Sequence, residues 1–303
     1  MNPLIEKLQQ VFDEENPQNI KPVNHFDWHA AGVDHNFIIC ITPRSGSTWL
    51  GHLLEASGEF GNPKELFIPE MIGPNAAKGL DGFPGLFKRR IMNNTIGRTF
   101  GFESNQSRLE WLTSLVDFEE VFVKSGTRFI AMYREDLLSQ AISITKAIRT
   151  GQWHSRKQNA GDAKKAAQKP QIVLEDDFLW SWILSLLQEE RRWDNFYDRY
   201  NIEPLRFKYE DLVSGSRTQM LRLMNHIKPG RFQQAEDALG LLNAIEDKTA
   251  RLADDFTLKT WSAFYLKYPQ ELESLSRLRT RLDGTDMANH LNRTYGLKVT
   301  IAA

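Results

Sequence analysis

Cysteine is almost missing from this chain: one, Cys40, occurs among 303 residues. A single thiol excludes a disulfide framework and any cysteine-rich zinc or iron–sulfur site, and it suits a reducing compartment. A surplus of one charge is missing too. The 38 basic and 39 acidic side chains leave a formal net charge of −1, so no global field draws the chain to nucleic acid or a membrane surface. Any anion it binds must be held by a local site. Long apolar runs are also lacking. The longest candidate span, residues 178–187, is about half the length a bilayer requires. Residues 1–16 carry Glu6 and Lys7 where a signal peptide needs an uninterrupted apolar core. The expectation is a soluble, cytoplasmic protein without a nucleic-acid partner or an integral membrane segment.

What is present is ordinary globular material, 41% apolar and 25% charged. No repeat or composition break marks a linker, so residues 1–303 read as a single domain. Leu4, Leu8, Val11 and Phe12 recur at helical spacing within an N-terminal helical extension, 1–35. Phe37-Ile38-Ile39-Cys40-Ile41 is continuously apolar, the signature of a strand buried on both faces of a parallel sheet. A Gly/Ser loop follows, and Trp49, Leu50, Leu53 and Leu54 then resume at helical spacing. Strand, loop and helix make half of a βαβ unit. Residues 62–97 read as irregular, with a basic knot at Lys88, Arg89 and Arg90. A second strand–helix junction spans 128–150, a long amphipathic helix 174–200 and a late strand 205–209, with a helical tail over 271–303. Residues 154–170 are polar and alanine-rich, a candidate mobile lid. The fold class predicted is α/β: a three-layer, P-loop-like fold with a central, mostly parallel sheet flanked by helices.

The loop Thr42-Pro43-Arg44-Ser45-Gly46-Ser47-Thr48 carries the most chemistry. Backbone N–H groups at a helix start lack partners and, with the helix dipole, favour an anion. Gly46 permits close backbone approach, Ser45, Ser47 and Thr48 add hydroxyl donors, and Arg44 adds a planar cation. The ordinary structural alternative is a capped helix with Ser47 as its N-cap. The loop is not a Walker A motif, since Gly-x-x-x-x-Gly-Lys-Ser/Thr occurs nowhere. Cys40 lies upstream of the loop, in the strand, and reads as a small buried hydrophobe. His25 and His29 stand four apart without a third ligand and read as structural. Trp180, Trp182, Leu186, Leu187 and Trp193 read as core packing.

Thr-Pro-Arg-Ser-Gly-Ser-Thr-Trp-Leu resembles the 5′-phosphosulfate loop of sulfotransferases that use 3′-phosphoadenosine-5′-phosphosulfate (PAPS). The run from Tyr133 through Arg134 to Ser143 resembles their 3′-phosphate motif. Ile148-Arg149-Thr150-Gly151-Gln152-Trp153 and Asn62-Pro63-Lys64-Glu65-Leu66-Phe67 are similar to segments of the bacterial family named for trehalose 2-sulfotransferase, which takes in lipopolysaccharide sulfotransferases. Tyr209-Glu210-Asp211-Leu212 and Arg251-Leu252-Ala253-Asp254 match later signatures more loosely. The resemblance covers roughly residues 36–270.

It implies transfer of a sulfuryl group from PAPS to a hydroxyl of a carbohydrate or glycolipid, in line and without a metal. Arg44 and the N–H groups of Ser45, Gly46, Ser47 and Thr48 would hold the phosphosulfate. Arg134 and Ser143 would hold the 3′-phosphate, with Ser139 the competing serine and a surface pairing of Arg134 with Glu135 or Asp136 the structural alternative. Trp49 stands where animal cytosolic sulfotransferases stack a tryptophan on adenine; its alternative is a core aromatic. Glu65 matches the carboxylate assigned as catalytic base. Phe100-Gly101-Phe102-Glu103 departs from the Phe-Gly-x-Lys of relatives, so a carboxylate replaces a cation near the acceptor and Glu103 becomes a second candidate base. A homodimer is implied as well. The rival readings are a P-loop-type kinase or nucleotide hydrolase, and a non-catalytic nucleotide-binding protein on a sulfotransferase scaffold.

Overall fold

The computed structural model describes residues 22–69, 72, 82–151, 174–232 and 255–301. The expected N-terminal helix over Leu4 to Phe12, the candidate lid 154–170, Gln152, Trp153 and the Arg251 to Asp254 signature lie outside the described residues. Elements run in the order β1 (His35–Ile41), α1 (Ser47–Ala56), α2 (Gly82–Asn94), β2 (Thr99–Asn105), α3 (Gln106–Leu112), a π-helical turn (Glu119–Val123), β3 (Arg128–Tyr133), α4 (Leu137–Thr150), α5 (Asp176–Tyr200), β4 (Leu205–Lys208), α6 (Tyr209–Val213), α7 (Arg217–Ile227), α8 (Asp255–Lys267), α9 (Pro269–Leu278) and α10 (Gly284–Tyr295). The chain divides into two compact units: residues 1–133 with 193–250, and residues 134–192 with 251–303.

The first unit holds the sheet, four parallel strands in the order β2-β1-β3-β4. Successive side chains of a strand point to opposite faces, and β1 is apolar on both. Phe37, Ile39 and Ile41 join Leu50, Leu53 and Leu54 of α1 and Leu223 and Met224 of α7 in one core. Ile38 and Cys40 join Phe83 and Phe87 of α2, Leu109 of α3 and Trp193 and Phe196 of α5 in another. Helices on both faces of a parallel sheet give the three-layer α/β architecture expected from the sequence. The indole Nε1 of Trp193 donates to the Ile41 carbonyl at 3.0 Å. Cys40 is buried and its thiol is pushed up to about 12 by desolvation, which fits a packing residue.

Two elements differ from expectation. Residues 62–97 contain a full helix, α2, where an irregular stretch was expected. Its Gly and Pro residues disguise the period of Phe83, Leu86, Phe87 and Ile91, all buried; Pro84 lies in the first turn, where a proline costs no hydrogen bond. The Phe100-Gly101-Phe102-Glu103 motif lies within a strand, β2, that the sequence does not announce. Only its Phe100 and Phe102 enter a core, so the continuous apolar signal of β1 is absent. On its other face Gly101 stands opposite Phe37 in register, and the ring fills the space that a side chain at 101 would need.

The second unit is helical and has its own core, in which Trp180, Leu186 and Leu187 of α5 pack with Leu138 and Ile142 of α4, Phe264 of α8 and Leu291 of α10. The aromatic pattern of α5 is thus core packing, divided between the units, with Trp193 in the first. No described helix is long and apolar enough to cross a membrane.

Replacing Gly101 with Ala forces a methyl into the Phe37 ring. Overpacking of this kind costs about 1–3 kcal/mol, and urea unfolding of G101A is expected to show a loss in that range.

Candidate active site

The loop after β1 is shaped for an anion. Arg44 and Gly46 both take left-handed backbone conformations, at φ 62° and 92°, flanking Ser45, whose N–H turns back to the Thr42 carbonyl at 3.2 Å. Alternation of backbone hand around a few residues converges N–H groups on one concavity. The structure places Gly46, not Ser47, at the N-cap of α1, and no side chain caps that helix. The capped-helix alternative is thereby overturned: Ser47 is already the first helical residue, and the cap position has no side chain. Ser45 Oγ is buried and finds no hydrogen-bond partner among the described residues. An orphaned hydroxyl, an uncapped helix start and a guanidinium on one loop fit a phosphosulfate group.

Gly46 is required for a second reason. A Cβ there would strike the ring of Tyr209 and approach the Met132 methyl at 3.3 Å. Tyr209 opens α6 directly after β4, so the late Tyr209-Glu210-Asp211-Leu212 segment packs onto the anion loop. Trp49, on the first turn of α1, is half-buried and meets Tyr209 edge-on, ring centres 6.4 Å apart. Thr48 is exposed.

The two candidate bases lie in this same unit. Leu66 and Phe67 are buried, Phe67 against Phe102 at 4.9 Å between ring centres. Lys64 bridges to Phe102, and the Glu103 N–H donates to the Lys64 carbonyl at 2.9 Å. The segment carrying Glu65 is therefore laid along the edge of β2, and Glu65 comes close enough to Glu103 for their charges to repel. Arg108 pairs with Glu65 through Oε2. Asn105 caps α3 by accepting from the Arg108 N–H at 2.9 Å, which fixes the first turn that presents this guanidinium. Sequence reasoning missed Arg108. Its signal was Asn105, a helix-capping residue type three positions ahead of it.

Glu103 is 5% exposed. It stands opposite Ile39 in register, on the sheet face that α1 covers. Gly51 makes room for it: a Cβ at 51 would fall 2.5 Å from Glu103 Oε1 and 2.7 Å from the Pro63 carbonyl. Desolvation pushes the carboxyl up to about 7, a hydrogen bond with the Ser47 side chain opposes this, and repulsion from Glu65 adds to it.

In the second unit, Arg134 is the first residue after β3 and is half-buried, as is Ser143 on α4. The Ser139 hydroxyl donates to the carboxylate of Asp136, the N-cap of α4, at 2.6 Å. Ser139 is thus committed to the cap. Arg279 donates to the carbonyls of Arg134 and Glu135, the former at 2.6 Å, and pairs with Glu190, which holds the turn carrying Arg134. Gly151 ends α4 in the left-handed conformation, φ 67°. Arg149 lies over the Phe178 ring at 5.5 Å. His25 and His29 are exposed and near Glu120 and Asp34, at 3.6 and 3.4 Å. Among the described residues, no group of three or more His, Cys, Asp or Glu is placed to hold a metal ion.

The family model described as Stf0 sulphotransferase matches residues 36–79 and 75–261 of the chain. No curated protein matches it.

Two outcomes follow from this geometry. Ala at 46 adds a methyl against Tyr209 and strains a left-handed backbone, a cost of about 1–3 kcal/mol. Urea unfolding of G46A is expected to show a loss of stability in that range. Glu103, raised in the folded state, contributes stability that is present at acid pH and lost as pH climbs through about 7. Thermal unfolding of E103Q is therefore expected to gain on the wild type at pH 8.5, by up to about 3 kcal/mol, and to show no such gain at pH 5.

Proposed function

The chain belongs to the Stf0 sulphotransferase family, and from that footing we propose that it transfers the sulfuryl group of PAPS to a hydroxyl of a carbohydrate or glycolipid. The observation that carries this reading is the uncapped α1 loop, with Arg44 and Gly46 turned to the left-handed conformation, in the same unit as the Glu65 carboxylate. When bound, PAPS supplies the sulfuryl group, and adenosine 3′,5′-bisphosphate departs.

The residues have separable tasks. Arg44 and the amides of the loop hold the bridging and terminal oxygens and stabilise charge that builds during transfer. A transferred sulfonate carries less charge than a γ-phosphate, so we assign this stabilisation to Arg44 and the amides and not to a metal. Glu65 accepts the proton of the acceptor hydroxyl; Arg108 grips one of its oxygens and so fixes where the carboxylate points. Arg134 and Ser143 are the groups proposed for the 3′-phosphate. Ser143 is preferred because the Ser139 hydroxyl is spent on the Asp136 cap. Trp49 is proposed to meet the adenine.

Thermal unfolding with adenosine 3′,5′-bisphosphate, set against ADP and ATP with and without magnesium, tests the donor. A ligand at about a hundred times its dissociation constant adds about 2.7 kcal/mol, a shift of a few degrees in a chain of this size. The expected result is a shift with the 3′-phosphorylated nucleotide; a shift confined to magnesium–ATP overturns the reading in favour of a kinase. For the base, E65Q is expected to keep nucleotide affinity and lose about 10²–10⁴-fold in turnover, measured as transfer from labelled PAPS to a panel of glycans and glycolipids.

A further inference from the structure

The carboxyl of Glu103 is enclosed against the first two turns of the helix that follows the anion loop. Gly51 leaves the hole it occupies, and Ser47, one turn earlier on the same helix face, is its hydrogen-bond partner. That contact has two states. A carboxylate can only accept, so the Ser47 hydrogen then points to Glu103 and away from the loop. A carboxylic acid can donate to Ser47 Oγ, which releases the Ser47 hydrogen to another acceptor. Ser47 belongs to the loop itself, so an anion held there would be such an acceptor.

We propose that Glu103 is a positioning residue for the donor, acting through Ser47: it takes a proton from the medium as an anion enters the loop and, once protonated, turns the Ser47 hydroxyl toward that anion. The inference rests on the donor reading above. Burial already places the carboxyl near its midpoint at neutral pH, about 7, and a further negative charge in the loop favours the acid. Of the influences on the carboxyl, the Ser47 hydrogen bond opposes the acid while burial and Glu65 favour it. The segment beside β2 supplies Glu65, whose charge pushes in the same direction, and Lys64, which pairs with Glu55 of α1 at 3.4 Å. Helix α3 supplies Arg108, engaged by Glu65, and Glu110, engaged by Arg199. Helix α1 also carries His52, and the loop carries Arg44. Strand β1 presents Ile39 and Ile41, with no charge.

The test is calorimetric titration of the full chain with adenosine 3′,5′-bisphosphate between pH 6 and 9, in buffers of different ionisation enthalpy, for wild type, E103Q and S47A. The nucleotide's own phosphates titrate alike in all three, so differences between profiles report the protein. Wild-type affinity is expected to fall above pH 7 by up to about tenfold per pH unit, with proton uptake exceeding that of E103Q. E103Q keeps a donor on Ser47, and its affinity at pH 8.5 is expected to match that of the wild type at pH 6 once the nucleotide's own titration is subtracted. S47A is expected to bind more weakly and to lose the wild-type slope. Equal slopes and equal proton counts in wild type and E103Q overturn the proposal, as does a uniform loss of affinity in E103Q at every pH. Should E103Q fail to fold, a full wild-type slope in S47A overturns it. Absence of wild-type binding at every pH would instead refute the donor reading itself.

Discussion

A strand apolar on both faces can exist in water only if both faces are covered and both edges are paired. Strand β1 meets that demand with β2 and β3 on its edges and helical layers above and below. The fold of the first unit follows from satisfying it. The cost of leaving backbone groups unpaired in such a place forces a regular ladder up to Ile41, where the Trp193 indole takes a carbonyl of β1. The chain then has to leave the core at one fixed point. That point is the anion loop, and its position is set before any ligand is considered.

From there the site is assembled by close approach more than by charge. Tyr209 rests where Gly46 has no side chain, and Glu103 rests where Gly51 has none. Both glycines lie within the loop and first turns of one helix, so the layer packed against that helix can come nearer than side chains would allow. The carboxyl brought in this way is desolvated, and a desolvated carboxyl resists ionisation. Its partner Glu65 is treated differently: it stays half-buried and holds a guanidinium. Two glutamates a short distance apart thus occupy opposite electrostatic conditions, one neutral-leaning and one paired.

The sequence was most legible where one physical demand dominates. Strand β1, the amphipathic faces of α4 and α5 and the loop with its glycine each answer to a single pattern, apolar continuity, helical periodicity or the need for a positive φ. It was least legible where two demands overlap. Strand β2 is apolar on one face and carries Gly101, Glu103 and Asn105 on the other, so its alternation was obscured by a glycine and a charge. In α2 the apolar positions keep their period, but Gly and Pro in the first turn mask it. At the start of α1, Ser47 is the better capping residue type, but the left-handed backbone at Gly46 overrides that preference and takes the cap position. For Arg108 the cap residue Asn105 marks the helix start that presents it, but the partner that gives it a role stands 43 residues earlier, a separation that local pattern does not report.

The hole at Gly51 has a consequence for reading other sequences. Any chain of this fold that carries a side chain at the position of Gly51 lacks room for a carboxylate at the position of Glu103 in the same rotamer. The dependence runs one way: glycine at 51 admits other residues at 103, whereas a side chain at 51 excludes this carboxylate and also meets the Pro63 carbonyl. Glycine with glutamate is one allowed combination, and it can be recognised in a raw sequence, since the glycine falls five residues after the loop glycine and the glutamate two residues after the strand glycine Gly101. The pair marks a chain in which a carboxyl can pack against the helix that follows the anion loop.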